Sequence, residues 1–378
     1  MKPVVIAGYK RSPFHFAHKG QLVKKRPDDM AADVVRGLIE SSGVDPAGIE
    51  DLIMGCAFPE GEQGFNVARI VGLLADLPIS VAGVTVNRFC GSSMQSIHIA
   101  AGAIQMNAGD AFICAGVESM SRVPMGGYNP MPNADLYERN EGAYMAMGET
   151  AENLAQKYQI PREEQEALAV SSHAKATSAR EEGRLAGEIV AIDCDGETID
   201  QDGCIRPGTD AEALANLEPA FDAEGTVTAG TSSPLTDGAS AVLVCTEDYA
   251  AANGLEVSAK IKSVAVAGCQ PEIMGYGPVV STAKALKRAG IKMADVDVIE
   301  LNEAFAVQAL ACVRELAFDF DKMNLDGGAI ALGHPLGATG ARITGKAAQL
   351  LQREDKQYAL ATQCIGGGQG ISTVLEAA

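Results

Sequence analysis

The sequence predicts an α/β protein made of two copies of one strand and helix unit, with an unrelated segment set between them. Three observations carry this. A long-range repeat runs at one fixed spacing, each copy alternates short apolar runs with amphipathic helical stretches, and a central stretch belongs to neither copy. The chain has 378 residues, 47% of them hydrophobic, which is enough for two or three domain-sized cores without disulfide or metal support.

The repeat is anchored on two glycine turns. Gly43-Val44 follows an amphipathic helix, Ala31 to Ser42, and precedes a strand, Asp51 to Met54; Gly290-Ile291 lies between a helix, Ser281 to Ala289, and a strand, Val298 to Leu301. The offset is 290 − 43 = 247 residues. At that offset Ala47 meets Ala294, Ile49 meets Val296, Glu50 meets Asp297, Leu52 meets Ile299 and Met54 meets Leu301. The same register carries Cys90, ahead of a helix Gly91 to Met106, onto Gly337, ahead of a helix Ala338 to Leu351. It also carries the strand Ala111 to Ala115 onto Tyr358 to Thr362. Outside the register, Val4 to Gly8 reads like Val264 to Gly268, and a final strand Gly238 to Cys245 like Gly370 to Leu375. Chance matching of small apolar residues is the bland alternative, but several anchors share one offset. Each half therefore reads as strands alternating with helices, the pattern of a mostly parallel sheet covered on both faces.

The segment from Ser121 to Leu235 fits neither copy. It is rich in Pro, Gly and Asn over Val123 to Asn133, then helical and charged from Gly148 to Gly187, with Pro161 at a helix start. The expected organisation is residues 1–120 plus 236–257 as the first half, 121–235 as an inserted loop domain, and 258–378 as the second half.

Composition excludes several functions. A formal net charge of −19 is far from the basic balance that phosphate-backbone binding needs, so nucleic acid is not expected, and an anionic ligand must find a local positive patch. No stretch approaches ~18 uninterrupted apolar residues, and Met1 leads directly into the apolar run Val4 to Ala7 with no basic leader. A soluble, cytoplasmic protein with no membrane partner is expected. The nine cysteines are an odd number with no C-x-x-C pair, which argues against a disulfide framework or a metal site. Each cysteine taken singly reads as a small buried hydrophobe.

Four turns stand out. Thr85 to Ser93 is a strand, a sharp turn and a helix start, with Cys90 where the helix dipole and free N–H groups favour the thiolate. His334, one of five histidines, sits in Gly327 to Gly337, read as a strand and a glycine-rich turn before a helix. A lone histidine is ordinarily structural, yet the repeat sets the Cys90 and His334 turns in matching places of the two halves, where thiol and imidazole can meet. Thr362 to Gly370 follows a strand and lacks the spacing of a dinucleotide-binding turn; donor-rich backbone for an oxyanion fits it better. Asn302 to Phe305 ends the strand that the repeat pairs with Asp51 to Met54, and Asn302 there fits a helix cap equally well. Gly340 to Lys346 matches G-x-x-x-x-G-K, but Ala347 follows and the stretch is helical, so a phosphate loop is rejected.

Taken together, Asn87 to Ser93, Asn302 to Phe305, Gly333 to Gly337 and Cys364 to Gly370 resemble the four signature turns of the thiolase family. Thr226 to Ser233 and Met274 to Pro278 extend the likeness over nearly the whole chain. The resemblance implies a thiolase fold: two duplicated βαβαβαββ halves, five strands to a sheet, in a five-layer αβαβα sandwich with an inserted CoA-binding loop domain. It implies Cys90 as the acyl-accepting nucleophile, His334 as its activator and Cys364 as the acid/base for the acetyl-CoA carbanion. One oxyanion hole would come from His334 with a water held by Asn302, another from the backbone N–H groups of Cys90 and Gly366. For CoA, bound as a substrate with no tightly bound cofactor and no metal, it points to Ser233 and Arg206; for the acyl chain, to Phe221, Met147 and Met274. By residue type alone, Arg206 also suits a bare surface, and the other three suit a core.

The segment Tyr144 to Gly148 departs from short-chain biosynthetic thiolases, which resemble it but place a histidine where Ala146 stands, while Asn87 to Gln95 is closer to fatty-acid-degrading relatives. The resemblance thus leans to thiolytic cleavage of 3-ketoacyl-CoA, over acetoacetyl-CoA thiolase chemistry that condenses two acetyl-CoA. It also implies CoA thioesters as partners and a homodimer or homotetramer. Two rivals share the fold: a decarboxylating 3-ketoacyl carrier-protein synthase, which resembles a Cys-His-His arrangement absent here, and a catalytically silent thiolase-like lipid carrier.

Overall fold

The computed structural model describes residues 2–378. In the first half, β1 (Val4–Arg11) and the short β2 (His15–Phe16) lead into α1 (Pro27–Ser42), β3 (Asp51–Gly55), α2 (Val67–Leu74), β4 (Ala82–Val86), α3 (Ser92–Gln105) and β5 (Ala111–Ser119). The central segment holds α4 (Ala134–Arg139), α5 (Met147–Tyr158), α6 (Arg162–Glu181), a two-stranded ribbon of β6 (Ile192–Cys194) and β7 (Glu197–Ile199), and α7 (Ala211–Ala215). The chain then returns to the first sheet as β8 (Thr236–Thr246), followed by α8 (Glu247–Ala252). The second half runs β9 (Ala259–Gly268), α9 (Gly277–Ala289), β10 (Val298–Leu301), α10 (Ala306–Leu316), α11 (Ala329–Leu332), α12 (Leu336–Arg353), β11 (Tyr358–Ile365) and β12 (Gln369–Glu376).

The glycines that anchor the repeat have a shared physical reason. Gly43 ends α1 at φ 70° and Gly290 ends α9 at φ 72°, each a left-handed C-cap whose N–H returns to the last turn. The strand order is β10-β11-β12-β9-β1-β8-β5-β3-β4, and among the described residues the two half-sheets join only through the short antiparallel pairing of Val5 and Ile6 with Lys260 and Ala259. Helices α1 and α2 cover the outer face of the first sheet, α9 covers that of the second with α10 against it, and α3 and α12 lie side by side between the sheets. The layers are therefore α, β, α, β, α. The three largest apolar cores follow: one under α1 and α2, one under α9 and α10, and one around α3 and α12 that includes Met94, Ile97, Val242, Ile343 and Leu375.

Two expectations need correction. The sheet is mixed, because only strands joined by helical crossovers run parallel, namely β3 with β4 and β5, and β10 with β11. The last strand of each half runs antiparallel to its neighbours, and β12 does so because a three-residue turn, Gly366 to Gly368, joins it directly to β11. The second sheet also has four strands where five were expected. Residues 329–332, equivalent to part of β4 at the offset of the repeat, form the short helix α11, and the edge beside β10 keeps only the isolated parallel bridge of Ile299 with Met323.

A buried charge network fastens the central segment to both halves. Arg11 on β1 grips Asp202 through two nitrogens at 2.6 and 2.8 Å and reaches Glu188 at 2.7 Å. Lys346 on α12 bridges Glu188 at 2.9 Å and Asp326 at 2.6 Å. The lysine of the rejected G-x-x-x-x-G-K match is thus a structural cation. Its first glycine is structural too, since a Cβ on Gly340 would sit 2.3 Å from the backbone nitrogen of Met94, where α12 crosses α3. Among the described residues no helix is long and apolar enough to cross a membrane.

Gly340→Ala is expected to destabilise the fold by about 3 kcal/mol, the upper end for overpacking, because the atom met is backbone and cannot rotate away. Denaturant unfolding measures this; a change within ~0.5 kcal/mol, as at an unconstrained surface site, would show that the α3–α12 crossing is not close-packed there.

Candidate active site

The side-by-side packing of α3 and α12 brings the turns before them to one place. Cys90 lies just ahead of the N-cap Gly91, one residue earlier than the sequence reading set it. Its turn is sharp: Phe89 adopts φ 42°, a left-handed conformation that costs a bulky residue energy, with its N–H donating to Asn87 Oδ1 at 2.8 Å. Across the interface, the Gln363 carboxamide donates to the Cys90 carbonyl, and Arg88 donates to Gln369 Oε1 at 2.8 Å. The second half thus clamps the turn of the first.

His334 follows α11 and precedes α12, so the strand expected before it is replaced by one helical turn. Its backbone N–H donates to Thr236 Oγ1 at 3.1 Å. Its Nδ1 lies 2.6 Å from Thr339 Oγ1, whose hydroxyl donates to the Pro335 carbonyl at 3.1 Å. The threonine oxygen therefore accepts Nδ1–H and leaves Nε2 as the lone-pair nitrogen, which receives the Asn302 carboxamide at 3.3 Å. Asn302 is not a helix cap. Helix α10 starts at Ala306 with Phe305 as its N-cap, and Asn302 is fully buried, aimed at the imidazole.

Cys90, His334 and Cys364 all line one cavity of about 550 Å³. Met147, Met274 and Phe221 form apolar walls with Phe305 and Leu336, while Ser233 and Arg206 line the same cavity. The exposed Arg206 guanidinium lies 5.0 Å from the Phe16 ring centre, and the Lys19 ammonium 4.5 Å from it. Together they make the local positive patch that an acidic protein needs for an anion. Asn302 and Gly366 stand behind the lining, Asn302 against His334, and the Gly366 N–H on the Cys90 sulfur. Every residue singled out from the sequence is thus at or against this cavity.

The charge states differ from expectation at Cys90. Burial pushes its thiol up to about 11, outweighing the N–H groups of Gly366 and of Cys90 itself, which favour the thiolate. A helix start is not enough to ionise a thiol in an apolar cavity. Burial also raises Cys364, with Cys90 adding to the effect, and burial with the facing Arg342 cation lowers His334 to about 3. At neutral pH the site holds two thiols and a neutral imidazole.

Sequence reasoning missed the supporting residues. Thr339 and Thr236 orient His334, Gln363 holds the Cys90 carbonyl, and the buried Glu118 carboxylate accepts N–H groups from Ala57 at 2.8 Å and Gly337 at 2.9 Å, tying the start of α12 to the first half. Thr339, five residues past His334 and within the first turns of a predicted helix, was legible as a ring partner; Glu118, at the end of an apolar strand, gave no local signal.

The chain matches the models of the thiolase N-terminal domain over residues 4–248 and the thiolase C-terminal domain over residues 255–377. It is 46% identical over 389 aligned residues to the 3-ketoacyl-CoA thiolase of Bacillus subtilis and 51% identical over 387 to that of Shewanella denitrificans, each alignment spanning 100% of both chains. The crystal structure of human mitochondrial 3-ketoacyl-CoA thiolase is similar with a TM-score of 0.92 at 36% identity, covering 100% of this chain and 99% of that one. The acetyl-CoA acetyltransferase of Bacillus anthracis is similar to the same degree, with a TM-score of 0.92 at 36% identity. Two family models that between them span the chain, relatives near 50% identity along its whole length, and a cavity lined by both cysteines and the histidine agree, and the protein belongs to the thiolase family.

Proposed function

We propose that the chain cleaves 3-ketoacyl-CoA with CoA, releasing acetyl-CoA and an acyl-CoA shortened by two carbons, in fatty-acid degradation. The observation that carries this is one apolar cavity lined by Cys90, His334 and Cys364. The curated relatives named 3-ketoacyl-CoA thiolase support the cleavage direction, and a structure of the human mitochondrial enzyme in complex with CoA, 36% identical, supports CoA as co-substrate.

The chemistry follows from the resting charge states. Cys90 is a thiol and His334 Nε2 a free base, so the proton moves to Nε2 as sulfur attacks the 3-keto carbon. The oxyanion so formed takes the N–H groups of Cys90 and Gly366. Breaking the bond between the 2- and 3-carbons leaves the acyl group on Cys90 and an acetyl-CoA enolate, whose thioester oxygen faces His334 and Asn302 and whose carbon takes the Cys364 proton. CoA thiol then gives its proton back to Cys364 and attacks the acyl-cysteine. The acyl group leaves as the new thioester, and imidazolium returns its proton to Cys90.

Arg206, Lys19 and Ser233 support a path for CoA along the central segment, residues 121–235. The acetoacetyl-specific alternative rests on the same site, and the methionine and phenylalanine walls favour longer chains. We further place the protein in the cytoplasm as a homodimer or homotetramer. The nine free cysteines suit a reducing compartment. The edge strand β4 is flanked by exposed apolar residues, among them Phe65 at 98% and Ile79 at 78% exposure, a face that a second copy would cover.

A CoA-dependent cleavage assay over 3-ketoacyl-CoA chain lengths is expected to show activity beyond the four-carbon substrate; activity confined to four carbons would establish the acetoacetyl-specific enzyme. Acetyl-CoA is expected to add an acetyl group that intact-mass spectrometry detects and Cys90→Ala abolishes; a chain that takes up no acetyl group would be the silent carrier. Cys364→Ser is expected to lower cleavage by about 10²-fold or more, the loss of one positioned proton donor, while Cys90 still acetylates. Because the Cys90 thiolate is complete only above about 11 and is lost as pH falls, its alkylation by iodoacetamide should rise about tenfold per unit between pH 7 and 9. A plateau already at pH 7 would mean a preformed thiolate. Light scattering is expected to give at least twice the chain mass of 39.2 kDa.

A further inference from the structure

Glu118, the last residue but one of β5, is 1% exposed, and its carboxylate is surrounded by donors. Its Oε2 accepts the N–H of Ala57 at 2.8 Å and that of Gly337 at 2.9 Å. Its Oε1 accepts the Phe58 N–H at 3.2 Å and the Gln63 carboxamide at 2.6 Å, with the Cys56 thiol at 3.7 Å. The Gln63 amide cannot be turned round, because its own Oε1 accepts the Ser119 N–H at 3.0 Å and so leaves its nitrogen facing Glu118. Four N–H donors leave no place for a carboxyl proton. Burial raises the carboxyl, and these N–H groups counter it.

One oxygen, Oε2, thereby joins the two turns of the site, and each connection can be followed bond by bond. Towards His334, Gly337 is the second residue of α12, where helix N–H groups lack internal partners, and His334 lies three residues before it. Towards Cys90, the Ala57 carbonyl accepts the Asn87 carboxamide N–H at 2.9 Å, and Asn87 Oδ1 accepts the Phe89 N–H at 2.8 Å. That last bond holds the residue at φ 42° directly before Cys90. A buried carboxylate among uncharged partners is costly, and an apolar contact would hold the two halves together without it. What an apolar contact lacks is direction.

We propose that Glu118 is a positioning residue that sets the Cys90 turn and the His334 turn against each other through one shared carboxylate oxygen. It does not line the cavity, and acts through Asn87 on one side and the start of α12 on the other. The distance between thiol and imidazole is then set by hydrogen-bond lengths as well as by helix packing. The purpose of this device rests on the functional reading above, but the bonds also protect backbone amides, which can be read without acyl transfer.

The test uses Glu118→Asp, which keeps the charge and shortens its reach, and Glu118→Gln, which keeps the reach and turns an NH2 towards N–H donors. Asn87→Ala cuts one branch, and Leu38→Ala, in the core under α1, is the control for stability alone. Intact-mass spectrometry at saturating acetyl-CoA gives the rate constant and the final extent of Cys90 labelling, and hydrogen exchange follows residues 86–92 and 334–340. Both Glu118 variants are expected to slow labelling about 10²-fold, the loss that a displacement of about 1 Å brings, with every folded chain labelled in the end. Exchange should quicken in both segments for these variants and only in 86–92 for Asn87→Ala. Asn87→Ala should slow labelling about tenfold, and adding it to Glu118→Gln should give less than the product of the two losses, because both cut one chain of bonds. Leu38→Ala should lower the melting temperature and leave the rate constant unchanged. An unchanged rate constant with fewer chains labelled in the Glu118 variants is lost stability alone and would overturn the proposal. So would full activity in Glu118→Asp, which would make charge the cause, or independent losses in the double variant. If neither Glu118 variant folds, Asn87→Ala decides, and unchanged labelling and exchange there overturn the proposal. If the unaltered protein never takes up an acetyl group while both segments respond, the positioning role stands and the functional reading falls; if it is labelled and the variants match its rate, the reverse holds.

Discussion

Everything in this protein depends on how closely two helices from different halves of the chain can approach. Helices α3 and α12 form the middle layer, and Gly340 lets the α12 backbone lie against Met94. Both helices are preceded by turns at the same end of that layer, so their contact sets the distance between a cysteine and a histidine that are 334 − 90 = 244 residues apart. The sheets, the outer helices and the charge network keep this pair of helices from sliding. An error of even 1 Å in their register would separate the two groups between which the proposed mechanism moves a proton.

The chemistry then works against the intuition that a reactive cysteine is an ionised one. An apolar cavity suits acyl chains, and the same low polarity raises both thiols and strips the imidazole of its charge. Function in such a place relies on proton transfer coupled to bond formation, with backbone N–H groups already aimed at the charge that appears. Binding and activation thus draw on one property of the cavity, its dryness.

Much of the site was legible in the sequence, for a physical reason. Cys90, His334 and Asn302 lie in turns beside strand ends or helix starts, and Cys364, read as part of a turn, is the last residue but one of β11, paired with Gly370; local signals are strong at such places, and the glycines at 43 and 290 marked the repeat because both cap a helix in the left-handed region. What stayed hidden depends on contacts across the chain. No pattern near Glu118 announces that it receives the first amides of α12, and nothing near Arg342 says that Glu300 is its partner. The false strand before His334 arose because Ala329 to Leu332 is too short to show a period, and apolar runs of that length suit a strand and a helical turn equally. The parallel sheet was over-read because alternation does not reveal which strands meet through a tight turn.

The repeat also hides an asymmetry. At the shared offset Gly337 stands where Cys90 stands in the first half, and a Cβ there would lie 2.5 Å from the Val117 carbonyl oxygen and 2.8 Å from Glu118. A second cysteine has no room. A duplicated fold with a pseudo-twofold axis offers two equivalent cradles, and the crowding at Gly337 reserves one of them for holding the halves together. The two turns are therefore not interchangeable: one carries the thiol that the proposed mechanism uses, and its twin, too crowded for any side chain, is the hinge pin that aligns it.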